Sequence, residues 1–211
     1  MTGHDTTGYP EEFQRCIRFH GHVCPGLGIG YAAAKAAAHL LRLASAQDEE
    51  VVAVVENDSC AVDAIQVILG CTFGKGNLVF RDWGKQVYTF FDRAGGRGVR
   101  LCFRQETMPL RDERHMLQTR VESGEATHED TSRLERLRVQ AIHDLVSGDP
   151  CRFFQMGDPR MDMPQGSVRV STSPCAICGE TTVTSRLVEK DGRRICRECG
   201  SSIRVPACSE E

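Results

Sequence analysis

The chain has 211 residues, 40% of them hydrophobic and 26% charged, with a formal net charge of −3. That balance can bury one medium core, or a core plus a small module, and it offers no global basic field to nucleic acid or anionic lipid. No run approaches the roughly 20 apolar residues of a membrane span. The opening "MTGHDTTGYPEEF" lacks the basic and apolar regions of a signal peptide, so a cytoplasmic location is expected.

In chain order, residues 1–10 read as a polar leader. "EEFQRCIRFHGH" predicts a short helix with Phe13, Cys16 and Ile17 inward. Pro25 suits the first position of a second helix, where its missing N–H costs little. That helix runs through "PGLGIGYAAAKAAAHLLRL", and Gly26, Gly30, Ala34 and Ala38 give it one smooth face that another backbone can approach. "EVVAVVEN" is a β-branched run and reads as a strand. Asp58 or Ser59 then caps a helix over "CAVDAIQVILG", with Gly70 near its end. "GNLVFRDW", "KQVYTFFDR" and "RGVRLCFR" are short strand-like runs in a meander. From Pro109 to Leu145 the chain is charged and helical, with Leu134, Leu137, Ala141 and Leu145 as its inner stripe. "CRFFQMGD" reads as a returning strand, and the proline-rich "DPRMDMPQGSVRVSTSP" as a linker, with a boundary near residue 170.

Eleven cysteines stand out. In a reducing compartment they are core residues, metal ligands or catalytic groups, and an odd count argues against a simple disulfide framework. "CAIC" (Cys175, Cys178) and "CREC" (Cys196, Cys199) lie 17 residues apart. Two such knuckles at that distance predict a four-thiolate zinc site, with a hairpin between them tipped by Asp191-Gly192. Gly179 and Gly200 follow the knuckles where a tight turn favours positive φ. Cys208 falls outside the pattern. Basic residues of the segment, from Arg186 to Arg204, are interleaved with acids, which leaves nucleic-acid contact, protein contact or a lid as open roles.

The stretch "FHGHVCPGLGIG" carries the second signal. Its glycines give G-x-G-x-G rather than a dinucleotide fingerprint, and "GCTFGK" around Lys75 falls short of a P-loop. In an extended segment His20, His22 and Cys24 alternate onto one side, where imidazole and thiolate suit a transition metal. Cys24 also takes the N-cap position before Pro25, which favours a thiolate. Cys60 opens a helix directly after a strand, with Asp58 before it and Asp63 on its face. If the two helix N-termini face each other, these residues form one polar cluster. The alternative is that such thiols are small core residues, the role expected for Cys16, Cys71, Cys102 and Cys151. His39, His115, His128 and His143 sit on charged helices and are expected in solvent.

"FHGHVCPGLGIGYAAAKAA", "ENDSCAVDAIQVILGCTFGKGNL" and the paired knuckles together resemble the FmdE family, named after one component of formylmethanofuran dehydrogenase. The resemblance covers residue 12 to about 155, followed by a ribbon of a kind often fused to that core. It implies an α+β core (residues 1–170) with an antiparallel sheet flanked by helices, followed by a small zinc-ribbon domain (171–211). It also implies a homodimer and a pocket lined by His20, His22, Cys24, Cys60 and Asp63, with Gly74 and Lys75 lining the same pocket or shaping a turn. The name links the family to a molybdenum or tungsten oxidoreductase. Three functions are weighed. The first is a metal-binding protein with an enzyme-like or redox pocket. There Cys24, Cys60, His22 and Asp63 are candidate catalytic groups, and His20, His22, Cys24 and Cys60 are candidate ligands of a second transition metal beside an unknown small molecule. The second is a non-catalytic accessory component or metal carrier for an oxidoreductase partner. The third, a ribbon-led nucleic-acid regulator, is disfavoured by the acidic charge.

Overall fold

A computed structural model describes residues 8–166 and 171–201. Residues 1–7 of the expected leader, the boundary position near 170, Arg204 and Cys208 lie outside the described residues. The chain divides into two compact units, Met1–Gly166 and Ser167–Glu211.

The first unit opens with α1 (Glu11–His20), whose Phe13, Cys16 and Ile17 are buried as their spacing predicts. Gly21 stops it in the left-handed region at φ 94° and donates its N–H to the Ile17 carbonyl. The helix α2 (Pro25–Leu41) follows with Cys24 as N-cap. It is the centre of the unit: Ala32, Ala33, Ala34, Ala36 and Ala37 are all fully buried. A helix apolar on every side must be enclosed on every side, and alanine lets its neighbours come close. The strand β1 (Val51–Val55) is buried at all five positions, as a central strand with both faces covered must be. Then come α3 (Ala61–Leu69), β2 (Leu78–Phe80), β3 (Val87–Asp92), β4 (Arg97–Phe103), α4 (Arg111–Glu122), α5 (His128–Ser147) and β5 (Phe154–Gly157).

The five strands form one sheet in the order β2-β1-β3-β4-β5. Three pairings are antiparallel, and β1 with β2 is parallel. The class is therefore α+β with a sheet antiparallel apart from one edge. The expected three-strand meander holds only for β3 and β4. Helix α3 carries the chain back across the sheet, so β2 returns parallel beside β1 and leaves β1 between itself and β3. On one face, Val51, Ala53, Val55, Tyr88, Phe90 and Leu101 pack into the helical core. On the other, Val52, Val54 and Phe91 are covered by Val79, Met161 and Met163, the last two from the segment after β5.

The expected run of helix from Pro109 to Leu145 is two helices. Gly124 turns at φ 75°, and Thr127 starts α5 with a capping box closed by Asp130. Leu117 of α4 meets Leu134 and Leu137 of α5 in a small cluster of their own.

The second unit holds two short hairpins, β6 (Thr172–Pro174) with β7 (Thr181–Val183) and β8 (Val188–Lys190) with β9 (Arg193–Ile195), then α6 (Arg197–Gly200). Asp191 and Gly192 turn the second hairpin at φ 50° and 71°, both left-handed, as a two-residue loop requires.

Candidate metal centres

Two helix N-termini meet in the first unit. At Gly30 a Cβ would overlap the Ala61 carbonyl oxygen and lie 2.6 Å from the Ala61 carbonyl carbon and Cα. Only glycine permits that approach of α2 to the first turn of α3. One turn earlier, the missing Cβ of Gly26 leaves room for Cys60 Cβ, which it would meet at 3.1 Å, and for the sulfurs of Cys60 and Cys24 at 3.7 and 3.8 Å. The i, i+4 glycine face thus places the residue heading each helix, Cys24 and Cys60, side by side.

Each cysteine is held by its turn. Cys24 Sγ accepts the Leu27 N–H at 3.4 Å, capping α2. Cys60 makes no cap bond of its own. Its turn is instead fixed by Asn57, whose Oδ1 accepts from Ser59 N–H and Oγ at 3.2 and 2.6 Å, and whose Nδ2 donates to the Lys85 carbonyl at 2.6 Å. Asn57 is buried, so these bonds fix the loop between β1 and α3.

His20 completes the group. Its Nδ1 lies 2.7 Å from Asp63 Oδ2, and its Nε2 faces Cys24 Sγ at 3.8 Å. Ligand atoms of His20, Cys24 and Cys60 all lie within 4.8 Å of one another. The donor set suits a transition metal: one imidazole and two thiols, with a carboxylate fixing the far ring nitrogen. Burial, and the Cys60 sulfur beside it, hold the Cys24 thiol above its ordinary value against the pull of the Leu27 N–H. The expected effect of the helix start on Cys24 is therefore present but outweighed. A cavity of about 330 Å³ adjoins the group, lined by His20, Cys60 and Asp63 and by Phe73, Leu78 and Phe80.

In the second unit the sulfurs of Cys175, Cys178, Cys196 and Cys199 likewise lie within 4.8 Å of one another. Backbone N–H groups point at them: Cys196 and Ile177 donate to Cys175 Sγ at 3.2 and 3.4 Å, and Cys199 to Cys196 Sγ at 3.3 Å. Led by the Cys196 N–H, these bonds pull the Cys175 thiol down to about 6. Gly179 turns at φ 75°, as expected, whereas Gly200 needs no positive φ because it ends the short helix α6. Four convergent sulfurs are a metal site by donor chemistry.

The family described as "FmdE, Molybdenum formylmethanofuran dehydrogenase operon" matches residues 19–155. The chain belongs to the FmdE family. A crystal structure of an FmdE-like protein of tungsten formylmethanofuran dehydrogenase, from Syntrophus aciditrophicus, superposes with a TM-score of 0.62. It covers 97% of this chain and 100% of that one at 22% identity, a likeness of fold. A probable S-adenosyl-L-methionine-binding protein of Archaeoglobus fulgidus is 26% identical over 195 residues, which is 89% of this chain. The chain spans about half, 52%, of that relative's length.

The FmdE segment "HGHVC" brings its side chains together by another route than strand alternation. His20 is the last residue of a helix, and the left-handed Gly21 folds the chain so that residues 20 and 24 converge. The His22 ring stacks on that of His20 at 4.4 Å, but it is exposed and outside the ligand group. Asp58 lines the cavity as an exposed residue. Lys75 shapes a turn: its Nζ donates to the Ala46 carbonyl at 3.0 Å, and its N–H to Thr72 Oγ1 at 3.2 Å. Cys16 and Cys71 are fully buried, and Cys102 and Cys151 partly so. Sequence reading missed Asn57, although an Asn just before a helix start is an Asx-turn signal. It also missed Phe73 and Phe80, which no local pattern assigns to the cavity.

Proposed function

We propose that the FmdE core binds a transition metal through His20, Cys24 and Cys60, with Asp63 orienting the imidazole, and offers an open coordination position to a small molecule in the adjoining cavity. The observation that carries this reading is the contrast between the two donor sets. The ribbon has four sulfurs and can close a tetrahedral shell, the signature of a structural zinc site. The core has three donors and a cavity of about 330 Å³ against them, the arrangement of a site that leaves a position for substrate. A metal there supplies Lewis acidity or redox capacity. The chain's own part is to fix the ring tautomer through Asp63, to hold Cys24 with the Leu27 N–H, and to shield the site with Phe73 and Leu78. His22, beside His20 and exposed, is placed to pass a proton between the ring pair and solvent.

In this reading the protein is a cytoplasmic metal-dependent enzyme or redox component of formylmethanofuran dehydrogenase-type metabolism, acting as a homodimer beside an oxidoreductase partner. A non-catalytic metal carrier is the second reading, favoured by the exposure of the cavity mouth, where Phe73 is 82% exposed.

Metal content per chain tests the proposal, measured by elemental analysis on untagged wild type, Cys60→Ser and Cys178→Ser. Two equivalents in wild type are expected, with one lost in each variant. One equivalent in wild type, retained in Cys60→Ser, sinks the core site. A core metal that exchanges freely with a competing chelator within minutes favours the carrier.

A further inference from the structure

A second cavity, of about 230 Å³, opens at the first turn of α2, where Pro25 lines it. The rest of its wall is cationic and polar: Arg111, Arg114, His115 and Gln118 from α4, Arg138 from α5, and Gln105. Residues 111, 114, 115 and 118 are spaced i, i+3, i+4, i+7, so one face of α4 points inward. Among the described residues, no acidic side chain lines this cavity.

The same helix pair neutralises its other arginines. Arg133 forms a two-pronged pair with Glu113 at 2.7 and 3.1 Å, and Arg120 reaches Asp130 at 3.2 Å. Arg114 is different. Its Nη1 is buried without a hydrogen-bond partner. Burial and the neighbouring Arg111 both disfavour its charge. Arg111 feels Glu106, which is itself held by Arg104 at 3.1 Å. Arg138 is locked in position, donating from Nη2 to Gln118 Oε1 at 2.6 Å, with Glu135 3.6 Å from its Nη1. A guanidinium stays ionised in a protein, so a buried unsatisfied N–H beside a like charge is costly unless an anion sits there. The fork geometry of three guanidinium groups suits phosphate oxygens. More than one positive charge favours a dianion over a carboxylate, and the enclosed volume favours a small molecule over a polymer backbone.

We propose that this cavity binds the phosphate group of a small phosphorylated compound, with Arg114 as the central donor and Arg111 and Arg138 flanking it. The site uses no metal ligand, so it stands or falls separately from the metal reading.

The test is calorimetric titration of the full chain with pyrophosphate and inorganic phosphate at constant ionic strength, with acetate as control. Variants are Arg114→Gln, Arg111→Gln and, outside the cavity, Arg133→Gln. Saturable binding of one pyrophosphate per chain is expected in wild type and Arg133→Gln, weakened roughly ten- to hundredfold in Arg114→Gln. Without anion, Arg114→Gln should melt no lower than wild type, and pyrophosphate should raise the melting temperature of wild type and Arg133→Gln but not of Arg114→Gln. If Arg114→Gln does not fold, Arg111→Gln carries the comparison. No saturable binding in wild type, equal binding by the cavity variants, or an equal response to acetate overturns the site. Arg114-dependent binding of an oligonucleotide without binding of pyrophosphate overturns the small-molecule assignment.

Discussion

Gly30→Ala tests how the two cysteines are brought together. The added methyl would overlap the Ala61 carbonyl oxygen and sit 2.6 Å from two further backbone atoms, where ordinary contact begins near 3.4 Å. Backbone cannot rotate away as a side chain can, so α2 and α3 must part by most of an ångström. Overpacking of this kind costs about 1–3 kcal/mol, and the better helix propensity of alanine returns about 1 kcal/mol. The collision involves main chain on both helices, so the upper end applies and the net loss is about 2 kcal/mol. For a unit of this size that lowers Tm by about 4–8 °C. The chemical effect is sharper. Ala61 follows Cys60 directly, and a metal tolerates ligand displacements of only about 0.2 Å, so core metal should be lost while the ribbon keeps its own. Two other glycines serve as controls. A Cβ at Gly26 would meet Cys60 Cβ at 3.1 Å, and one at Gly28 would meet Leu145 Cδ1 at 3.2 Å, both side-chain atoms that can give. The assay is calorimetric melting with elemental analysis of all three alanine variants. A Gly30→Ala protein that melts at the wild-type temperature and retains core metal refutes the account, as does a larger effect at Gly26 or Gly28.

Asp63→Asn keeps the size of the side chain but removes the charge 2.7 Å from His20 Nδ1. Core metal affinity should fall about 10–100-fold with Tm nearly unchanged, read by competition with a chromogenic chelator. Unchanged affinity would show that Asp63 does not orient the ring. In the ribbon, the buried apolar cluster is only Cys175, Ile195 and Cys196 among the described residues. Cys178→Ser should therefore release that metal and make the segment 171–201 protease-sensitive, while the core transition stays in place. Alkaline stability gives a fourth test. Burial pushes Cys16 and Cys71 up to about 12 from an ordinary value of 9.0. Between those values the unfolded chain releases thiol protons that the native chain retains, so unfolding becomes easier as pH rises. Urea midpoints should decline from about pH 9 to about pH 11, with a shallower slope in Cys71→Ala. A flat profile would mean that these thiols ionise in place.

Much of the site was legible because it is built from local rules. Pro25 with Cys24 announces a helix start, and so does the passage from β-branched "VVAVV" to "NDSC". A glycine-alanine face on α2 says that something approaches closely. That the approaching backbone is Ala61, heading the helix that Cys60 caps, is a long-range fact with no periodic trace. The convergence of His20 and Cys24 was expected from alternation, but it comes from a left-handed glycine at a helix end. Both geometries share the same two polar side chains, so composition alone cannot separate them. Strand order was hidden for a related reason. The runs at 78–80 and 87–92 look alike, and only the crossover through α3 decides which of them lies parallel beside β1. The cationic cavity was obscured because α4 reads as an ordinary charged helix. Its meaning depends on which arginines find an acid across the α4–α5 hairpin and which do not.

The alanine-rich centre of α2 has a consequence for how this chain can drift. At a leucine or valine in a core, mutation can trade one shape for another of similar volume and the neighbours adjust. Ala32, Ala33, Ala34, Ala36 and Ala37 have no such exchange: every residue but glycine is larger, and none of the five is exposed. Glycine itself would loosen the helix. A saturation library across residues 30–37 should return an almost empty set of viable codons. The segment that holds the unit together with the smallest side chains is thus the one with the least room to change.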